Sequence, residues 1–256
     1  MGVLRSELLA ANGFSHGFFT REGGVSDGVF SSLNFAAETG DSTEHVEQNL
    51  SLAAQALGID ATRIYYLTQV HGTGHEVVGP QADRLEFGSR EGDTVLCHVH
   101  GHAAAIRTAD CVPVLLACRD TGWVAACHSG WQGCVVGAAT AAVRALKAQG
   151  AQNLIAAIGP HISLASFEVS GDVAAQLVAA SPTPHIVDHS RTKPHIDLRK
   201  MVRAQLMQSG LAADSIDDVL GCTYAEPARF FSFRRDQDPS GRMLSAILPR
   251  EHSPAS

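Results

Sequence analysis

The chain has 256 residues and a formal net charge of −7, with 45% hydrophobic and 18% charged residues. This composition argues against intrinsic disorder, and the absence of a Lys/Arg cluster argues against a nucleic-acid-binding protein. The longest apolar runs, such as Val112–Cys118, are far shorter than the ~20 residues of a membrane-spanning helix, and no secretory signal pattern opens the sequence.

The cysteines and the overall organisation point to a single cytoplasmic domain. The six cysteines are scattered, and no two of them form a C-x-x-C pair, so we expect reduced thiols and not a disulfide framework. The chain has no repeat and no Pro-, Gly- or Ser-rich linker. We therefore predict one domain over residues 1–256, with a tail that frays from about residue 250. The oligomeric state does not follow from the sequence.

The first half of the chain contains a predicted loop followed by predicted strands. Residues 20–41 are rich in Gly and Ser, have few periodic apolar positions and predict an ordered functional loop. Short apolar runs bounded by Gly, Asp or Arg follow, and they predict strands at residues 93–98, 103–108, 112–119 and 123–128. Asp120-Thr121-Gly122 predicts a hairpin turn between the last two strands.

The second half alternates helices with further strands. Apolar residues near helical spacing predict one helix over residues 131–149, ending at Gly150. Other helices are predicted at residues 169–180 and 198–209, and other strands at residues 153–158, 219–223, 230–233 and 244–248. Residues 181–195 contain three prolines and predict a surface loop. Strand pairs with peripheral helices indicate an α+β fold with mixed β-sheets.

The most obvious metal-like pattern is His98-Val99-His100-Gly101-His102. On a strand, alternate residues share one face, so these three imidazoles could converge on one ion. Gly101, however, stands where a turn should join two predicted strands, and a turn would direct the histidines into solvent. We predict that this segment is a turn and not a metal site.

Three other polar residues lie where predicted apolar segments end. They are His71 in Gln69-Val70-His71-Gly72, Cys111 in Thr108-Ala109-Asp110-Cys111, and His128 before Ser129-Gly130-Trp131. Ligands from distant parts of a sequence can meet at one edge of a sheet. One Cys and two His suit Zn²⁺ and leave a fourth position open for water or substrate. Their spacing matches no local rule, so a core cysteine near two hydrogen-bonded histidines remains the alternative.

Ordered motifs occur along nearly the whole chain. In its first part they are His16-Gly17-Phe18-Phe19-Thr20-Arg21, Gly23-Gly24-Val25-Ser26, Ser32-Leu33-Asn34, Gln69-Val70-His71-Gly72 and Gly92-Asp93. In its second part they are Thr108-Ala109-Asp110-Cys111-Val112-Pro113, His128-Ser129-Gly130-Trp131, Ile158-Gly159-Pro160, Phe167-Glu168-Val169, Phe231-Ser232-Phe233-Arg234-Arg235 and Gly241-Arg242. Together they resemble the YfiH family, also described as the laccase-domain or polyphenol oxidase family and as the peptidoglycan editing factor family.

The resemblance implies a single layered α/β/β/α domain with zinc bound by His71, Cys111 and His128. It also implies a purine nucleoside phosphorylase for adenosine, inosine and methylthioadenosine that has adenosine deaminase activity. The implied partners are therefore small molecules, a purine nucleoside and phosphate. Alternatives are the editing of peptidoglycan precursors and a cysteine-type hydrolase that uses Cys111 and His128. A copper polyphenol oxidase is less favoured, because the chain has no His-Cys-His segment.

Three residues are candidates for catalysis beside the metal ligands. Asp110 adjoins Cys111 and is the candidate proton-transfer group, with a supporting or turn-capping role as the alternative. Arg21 is a fork-shaped donor for phosphate. Gln132 stands where many relatives carry Arg, near the start of the predicted helix, where backbone N–H groups would attract an anion. A packing role for the neighbouring glycines is the alternative there.

Three further residues are candidates for substrate binding. Arg234, followed by Arg235, is expected on a strand and is a second candidate for phosphate. Ser32 and Asn34 would bind sugar or base, or would hold their Gly-rich loop together. His161 stands where many relatives have Cys after Ile-Gly-Pro, and it is either an additional site residue or a filler.

Overall fold

The computed structural model describes residues 1–250, which form two large β-sheets, a small hairpin and surrounding helices. In chain order the strands are β1 (Val3–Leu4), β2 (His16–Phe19), β3 (Ile64–Tyr65), β4 (His75–Val78), β5 (Thr94–Cys97), β6 (Ala103–Thr108), β7 (Val112–Cys118), β8 (Val124–Ser129), β9 (Leu154–Ile158), β10 (Val187–Asp188), β11 (His195–Ile196), β12 (Ile216–Asp218) and β13 (Met243–Ile247). The α-helices are α1 (Glu7–Ala11), α2 (Thr43–Leu57), α3 (Arg84–Gly88), α4 (Trp131–Val136), α5 (Ala138–Ala148), α6 (Gly171–Ala180), α7 (Leu198–Gln208) and α8 (Phe233–Asp236).

Both large sheets are mixed. The five-stranded sheet has the order β1-β2-β13-β6-β3, and the six-stranded sheet has the order β12-β9-β7-β8-β5-β4. In the first sheet β3 pairs with β6 in parallel, and in the second sheet the outer pairs, β4 with β5 and β12 with β9, are parallel. The remaining pairs are antiparallel, which confirms the mixed sheets predicted from the sequence.

Alternating side chains divide the core into layers. Val114 and Leu116 of β7 pack with the helical side of the core, which α5, α6 and α7 supply. Leu115, between them, packs instead with residues of the five-stranded sheet. The outer face of that sheet packs on α2 through residues such as Leu50. The order helix, sheet, sheet, helix confirms the predicted α+β fold and its α/β/β/α layering.

The predicted helix over residues 131–149 is wrong in one respect, because two helices occupy this range. Gly137 has a left-handed φ of 80°, ends α4 and immediately precedes α5. Glycine adopts this conformation without the steric cost that a β-carbon brings. Apolar spacing continues across the break, so the helical period alone does not reveal it.

The predicted strands at residues 219–223 and 230–233 are wrong. The strand in the first region lies earlier, at β12, where it pairs with β9, and Leu220 is instead 70% exposed. Phe230 and Phe231 are buried outside any strand, and the hydroxyl of Ser232 accepts a hydrogen bond from the N–H of Arg235 to cap α8. Helix α2, which follows the Gly- and Ser-rich loop, has no counterpart among the predicted elements.

The other strands of the middle region, the helices α6 and α7 and the turn at residues 120–122 lie where they are predicted, to within about two residues at each end. Among residues 1–250, no helix is both long enough and apolar enough to cross a membrane. The predicted frayed tail falls on residues 251–256, outside the described part of the chain.

Candidate metal and substrate site

Three side chains from separate segments converge on one point. His71 lies in the loop between β3 and β4, Cys111 in the tight turn between β6 and β7, and His128 within β8. Their ligand atoms all lie within 4.8 Å of one another, and the Nε2 of His71 is 3.9 Å from the Sγ of Cys111. His71 and Asp110 have positive φ values of 61° and 87°. These sharp turns bring together the three residues proposed as ligands from the sequence.

Gly130 leaves room for this group. A β-carbon at Gly130 would lie 2.8 Å from the Cδ2 of His71 and 2.9 Å from the Sγ of Cys111. Both distances are shorter than van der Waals contact, so any side chain at this position would displace the two ligands. One thiolate and two imidazoles packed this closely, with a side open to a cavity, are a donor set that fits a divalent metal ion.

Asp93 fixes two of the three ligands. One carboxylate oxygen accepts a hydrogen bond of 2.7 Å from the Nδ1 of His128 and one of 3.0 Å from the backbone N–H of His71. The other oxygen accepts hydrogen bonds from the backbone N–H groups of Val70 and Gly72. The bond to Nδ1 leaves the Nε2 lone pair of His128 for a metal ion. Asp93 thus orients one ring and shapes the loop that carries the other.

The charges within this group favour a thiolate at Cys111. Burial opposes ionisation, but His128 and His71 outweigh it and lower the pKa of Cys111 to about 6. Burial also opposes protonation of His128, but the Cys111 and Asp93 charges raise its pKa to about 9. Burial raises the pKa of Cys127 and Cys134, which lie close by, to about 12. Among these three thiols, only Cys111 has the environment of a metal ligand or nucleophile.

A cavity of about 780 Å³ opens beside His71, Cys111 and His128, the candidate metal ligands, which are called the metal-binding group below. Its wall carries the side chains of Arg84, Arg107 and Arg242 together with one carboxylate, that of Glu38. Tyr66, Leu85 and Phe233 add aromatic and aliphatic surface. A cavity of this size that combines apolar surface with a few charged groups is typical of a small-molecule site.

The carboxylate of Asp110 points to a different part of the chain. Oδ1 accepts a hydrogen bond of 2.5 Å from the hydroxyl of Thr223. Oδ2 accepts hydrogen bonds from the hydroxyl of Ser232 and from the backbone N–H of Arg234. These bonds anchor the chain around α8 to the turn that carries Cys111. The arrangement favours the supporting role over proton transfer, and the catalytic assignment stays a prediction.

The two arginines predicted to bind phosphate do not line the cavity. Arg21 donates from Nε to the carbonyl of Ser31 and from Nη1 to the carbonyl of Pro227, and it stacks on Phe231. Arg234 lies on helix α8 and not on a strand, so that expectation is wrong. Its Nη1 donates to the carbonyl of Glu168. The structure thus places both guanidinium groups against carbonyl oxygens.

The other predicted site residues also lie apart from the metal-binding group. Ser32 accepts hydrogen bonds from the N–H groups of Gly23 and Gly24, and buried Asn34 bonds to Ala36, Asp41 and Arg242. Both side chains therefore hold the Gly-rich loop together, which is the alternative role given above.

Gln132 is exposed on α4 and does not line the cavity. His161 is buried with its Nδ1 2.8 Å from the carbonyl oxygen of Gly159, and burial lowers its pKa to about 4.

The histidines of residues 98–102 lie around a turn, as predicted. Gly101 has a φ of 74°, and the chain reverses there between β5 and β6. His98 stacks on Trp123, whereas His102 stacks on Tyr65. Among the described residues, the group of His71, Cys111 and His128 alone brings three metal-ligating side chains together.

Three residues at this site are absent from the sequence-based candidates: Asp93, which contacts two of the candidate ligands, and Arg107 and Arg242, which line the cavity. In the sequence Asp93 belongs only to a Gly-Asp motif before an apolar run, and a carboxylate that is buried there must be hydrogen-bonded. Arg107 lies near the end of β6 and Arg242 directly precedes β13, and neither stands in a local pattern that indicates a site. Their proximity depends on the pairing of strands that are far apart in the sequence.

Comparison with known proteins agrees with this architecture. Residues 15–250 match the family described as multi-copper polyphenol oxidoreductase laccase. The purine nucleoside phosphorylase SCO2081 of Streptomyces coelicolor is 38% identical over 239 residues, which cover 92% of this chain and 96% of the relative. The purine nucleoside phosphorylase YfiH of Escherichia coli is 34% identical over 233 residues, which cover 89% and 90% of the two chains.

The solved structures show the same fold. The crystal structure of YlmD from Geobacillus stearothermophilus has a TM-score of 0.90 and 30% identity, covering 98% of this chain and 97% of that chain. The crystal structure of YfiH from Bacillus licheniformis has a TM-score of 0.87 and 26% identity, covering 93% and 94%. Because sequence and fold agree over almost the entire length, this chain belongs to the YfiH family of laccase-domain proteins.

Proposed function

We propose that this protein is a zinc-dependent purine nucleoside phosphorylase that acts on adenosine, inosine and methylthioadenosine. The observation that carries the proposal is the convergence of His71, Cys111 and His128 beside a cavity of about 780 Å³. A cavity of that size accommodates a ligand as large as a nucleoside. The purine nucleoside phosphorylase names of full-length relatives support the substrate class.

Zinc is the metal that the ligand set favours. One Cys and two His ligands with an open fourth position are a known catalytic zinc arrangement. Copper, which also accepts imidazole and thiolate ligands, is the alternative. When bound, zinc would supply a Lewis acid able to polarise an oxygen of the substrate or of water. His71, Cys111 and His128 would hold it, and Asp93 would keep the ring of His128 and the loop of His71 in position.

The surrounding residues would bind and orient the nucleoside. Tyr66 and Phe233 line the cavity, and the faces of their rings that do not stack on Arg107 and Arg242 would contact the purine. The polar residues of the wall would contact the ribose and phosphate. In phosphorolysis, a phosphate oxygen forms a bond to C1′ of the ribose while the bond from C1′ to the base nitrogen breaks. The base leaves with the electron pair and takes up a proton, so the products are ribose 1-phosphate and the free base.

Slower deamination of adenosine belongs to the same proposal. Water replaces the amino group at C6, and ammonia leaves, so the product is inosine. This reaction requires a side chain that moves protons, and Asp110 is the predicted candidate. Because three hydrogen bonds occupy its carboxylate, the deaminase activity is less well supported by the geometry than binding of the nucleoside.

A cysteine-type hydrolase is the second candidate, and a specific geometry favours it. Cys111, His128 and Asp93 follow one another as nucleophile, base and orienting carboxylate, with 2.7 Å between the last two. The lowered pKa of Cys111 would suit a nucleophile. This function requires a free thiolate, so a metal ion bound firmly by His71, Cys111 and His128 would exclude it.

The environment of the cysteines supports a cytoplasmic location, which we also propose. All six cysteines are free in the structure. Free thiols in this number are typical of proteins that remain in a reducing compartment.

Metal analysis combined with product analysis tests the proposed function. Purified protein should contain about one equivalent of zinc per chain, since the three ligands form one site. Incubation of inosine or adenosine with phosphate should give the free base and ribose 1-phosphate, and omission of phosphate should abolish both products.

Copper in place of zinc would favour the polyphenol oxidase. A metal-free protein that hydrolyses peptide or ester bonds through Cys111 would favour the hydrolase, and no turnover of nucleosides would favour the editing of peptidoglycan precursors.

A further inference from the structure

We propose that Arg107 and Arg242 together bind inorganic phosphate in the cavity, and that Glu38 occupies Arg107 until phosphate arrives. This inference rests on the proposed phosphorylase function and adds to it the residues that bind the second substrate. Both arginines lie in the wall of the cavity beside the metal-binding group.

Strand pairing places the two arginines on one face of the five-stranded sheet. Arg107 is the direct antiparallel partner of Leu244 in β13. Directly paired residues share a face, and residues two positions apart on one strand share it as well. Arg242, two residues before Leu244, is therefore a diagonal neighbour of Arg107. Such neighbours are ~7–8 Å apart at their Cα atoms, which is within reach of long side chains.

Arg107 is held in position and retains an unused donor. Its guanidinium carbon lies 4.4 Å from the ring centroid of Tyr66, and its Nη1 donates to the carbonyl of Phe35 and to the carboxylate of Glu38. The side-chain amide of Gln69 bonds to both the N–H and the C=O of Arg107. The Nε of Arg107 is buried and has no hydrogen-bond partner among the described residues. Because this nitrogen is buried, the donor of Arg107 that an anion in the cavity can reach is Nη2, which makes no hydrogen bond with a described residue.

Arg242 presents a second set of donors. The hydrogen bonds that its side chain makes with described residues all leave from Nη1, to the carbonyls of Ser240 and Gly241. Its guanidinium also stacks on Phe233 at 5.7 Å. Burial lowers the pKa of Arg242 and the positive charge of Arg107 adds to this effect, whereas the negative charges of Asp238, Cys111 and Glu38 act in the opposite direction. Two such cations in a partly buried cavity are stabilised by an anion that accepts hydrogen bonds from both.

Glu38 supplies the negative charge when phosphate is absent. Its carboxylate lies 2.8 Å from the Nη1 of Arg107, and its side chain is largely exposed, on a short 3-10 helix. Exposed ion pairs are weak, so a phosphate dianion with several acceptor oxygens can compete for the same guanidinium. The pair therefore keeps Arg107 directed into the cavity and yields to phosphate. Removing the carboxylate should consequently strengthen phosphate binding.

Steady-state kinetics on single variants test this assignment. The phosphate KM of Arg107→Gln and of Arg242→Gln should rise at least about tenfold, since each loses a charge-assisted contact, while the inosine KM changes less than about threefold. Arg242→Lys should recover part of the loss. Glu38→Gln should lower the phosphate KM a few-fold, in the opposite direction. Arg90→Gln, which removes an exposed guanidinium paired with Glu76 and Glu86, is the matched control and should change neither KM.

Direct binding separates this inference from the proposed function. Calorimetric titration of inorganic phosphate into the zinc-loaded protein should give a heat signal that Arg242→Gln loses, whether or not the protein turns over inosine. Wild-type protein that binds phosphate but forms no ribose 1-phosphate would contradict the phosphorylase alone. Unchanged phosphate KM and phosphate affinity in both Arg→Gln variants, with normal melting temperature and zinc content, would overturn the inference. The inference would also be overturned if Arg21→Gln or Arg234→Gln weakened phosphate binding while Arg107→Gln and Arg242→Gln did not.

Discussion

Two groups of histidines in this protein differ in what the fold does with them. His98, His100 and His102 are neighbours in the sequence, but their chain reverses at Gly101, and the rings of His98 and His102 contact different partners. His71 and His128 are far apart in the sequence, yet with Cys111 they bring their ligand atoms within 4.8 Å. Several histidines close together in the sequence are therefore weaker evidence for a metal site than ligand residues from separate segments that meet in the fold.

The difference comes from what surrounds each group. In the metal-binding group, Asp93 fixes the ring of His128 and the loop of His71, and Gly130 keeps a β-carbon out of the way. Around the turn, the rings of His98 and His102 lie in different surroundings. His102 is buried against Tyr65 and accepts a hydrogen bond from Arg63, while His98 contacts the carbonyl of Thr121.

The largest effect is expected from Cys111→Ala. Loss of the thiolate removes the ligand whose lowered pKa makes it anionic at neutral pH. The purified variant should retain less than about a tenth of the wild-type zinc, and its phosphorylase activity should fall about 10³-fold or more. Atomic absorption and chromatography of the products measure both quantities.

Cys134→Ala is the control for that variant. Cys134 is buried beside the site and its Sγ lies 3.3 Å from the hydroxyl of Ser129, but burial raises its pKa to about 12 and keeps it protonated. Its zinc content should equal that of the wild type. Full retention of zinc in Cys111→Ala would instead contradict the metal site at His71, Cys111 and His128 and would favour the histidines of residues 98–102.

A smaller effect is expected from Asp93→Asn, which leaves all three ligands in place. Both carboxylate oxygens of Asp93 accept hydrogen bonds, whereas an amide has only one oxygen that can accept. The ring of His128 and the loop of His71 therefore lose their fixed orientation. Zinc affinity should fall about 10- to 100-fold. Competition with a chelating dye measures it.

Asp217→Asn provides the comparison, because that carboxylate bonds to Ser6 on another side of the molecule. Its zinc affinity should not change. Equal zinc affinities for Asp93→Asn and the wild type would mean that the convergence of strand ends suffices without an orienting carboxylate.

Gly130→Ala tests how closely the site is built. The added β-carbon must push aside the ring of His71 or the sulfur of Cys111, and zinc affinity should fall about tenfold. Gly133→Ala is matched to it, because a β-carbon there lies 3.4 Å from the β-carbon of Ala138 and 3.7 Å from the backbone carbonyl of His128, in ordinary contact, and its three nearest atoms include no ligand side chain. If both variants bind zinc like the wild type, the close approach at Gly130 is not needed for binding.

The strands could be predicted where short apolar runs have clear polar boundaries. Strands such as β6 and β7 carry continuous apolar runs, and their ends follow from the flanking polar residues. The break at Gly137 and the buried loop around Phe231 could not be predicted, because apolar residues continue through a helix break and are also buried outside strands. In both places tertiary packing, and not local period, decides the structure.

The metal-binding group could be proposed from residue types and resemblance, but the wall of the cavity could not. Arg21 and Arg234 stood in conspicuous motifs, whereas Arg107 and Arg242 become neighbours only through the pairing of β6 with β13. Asp93 becomes important only because the His71 loop folds over it. Hydrogen bonds to backbone groups of distant loops leave no spacing signal in a single sequence.

The smallest functional effect is expected from replacing His98, His100 and His102 together by Asn. Zinc content and phosphorylase activity should equal those of the wild type, because none of these side chains belongs to the metal-binding group or lines the cavity. Stability should nevertheless fall by about 1 kcal/mol, since His102 loses its stacking on Tyr65 and its hydrogen bond from Arg63. Urea denaturation of the triple variant and of His102→Asn alone should show that most of this loss comes from His102. A drop in zinc content without a drop in stability would reverse the comparison and make the turn a metal site.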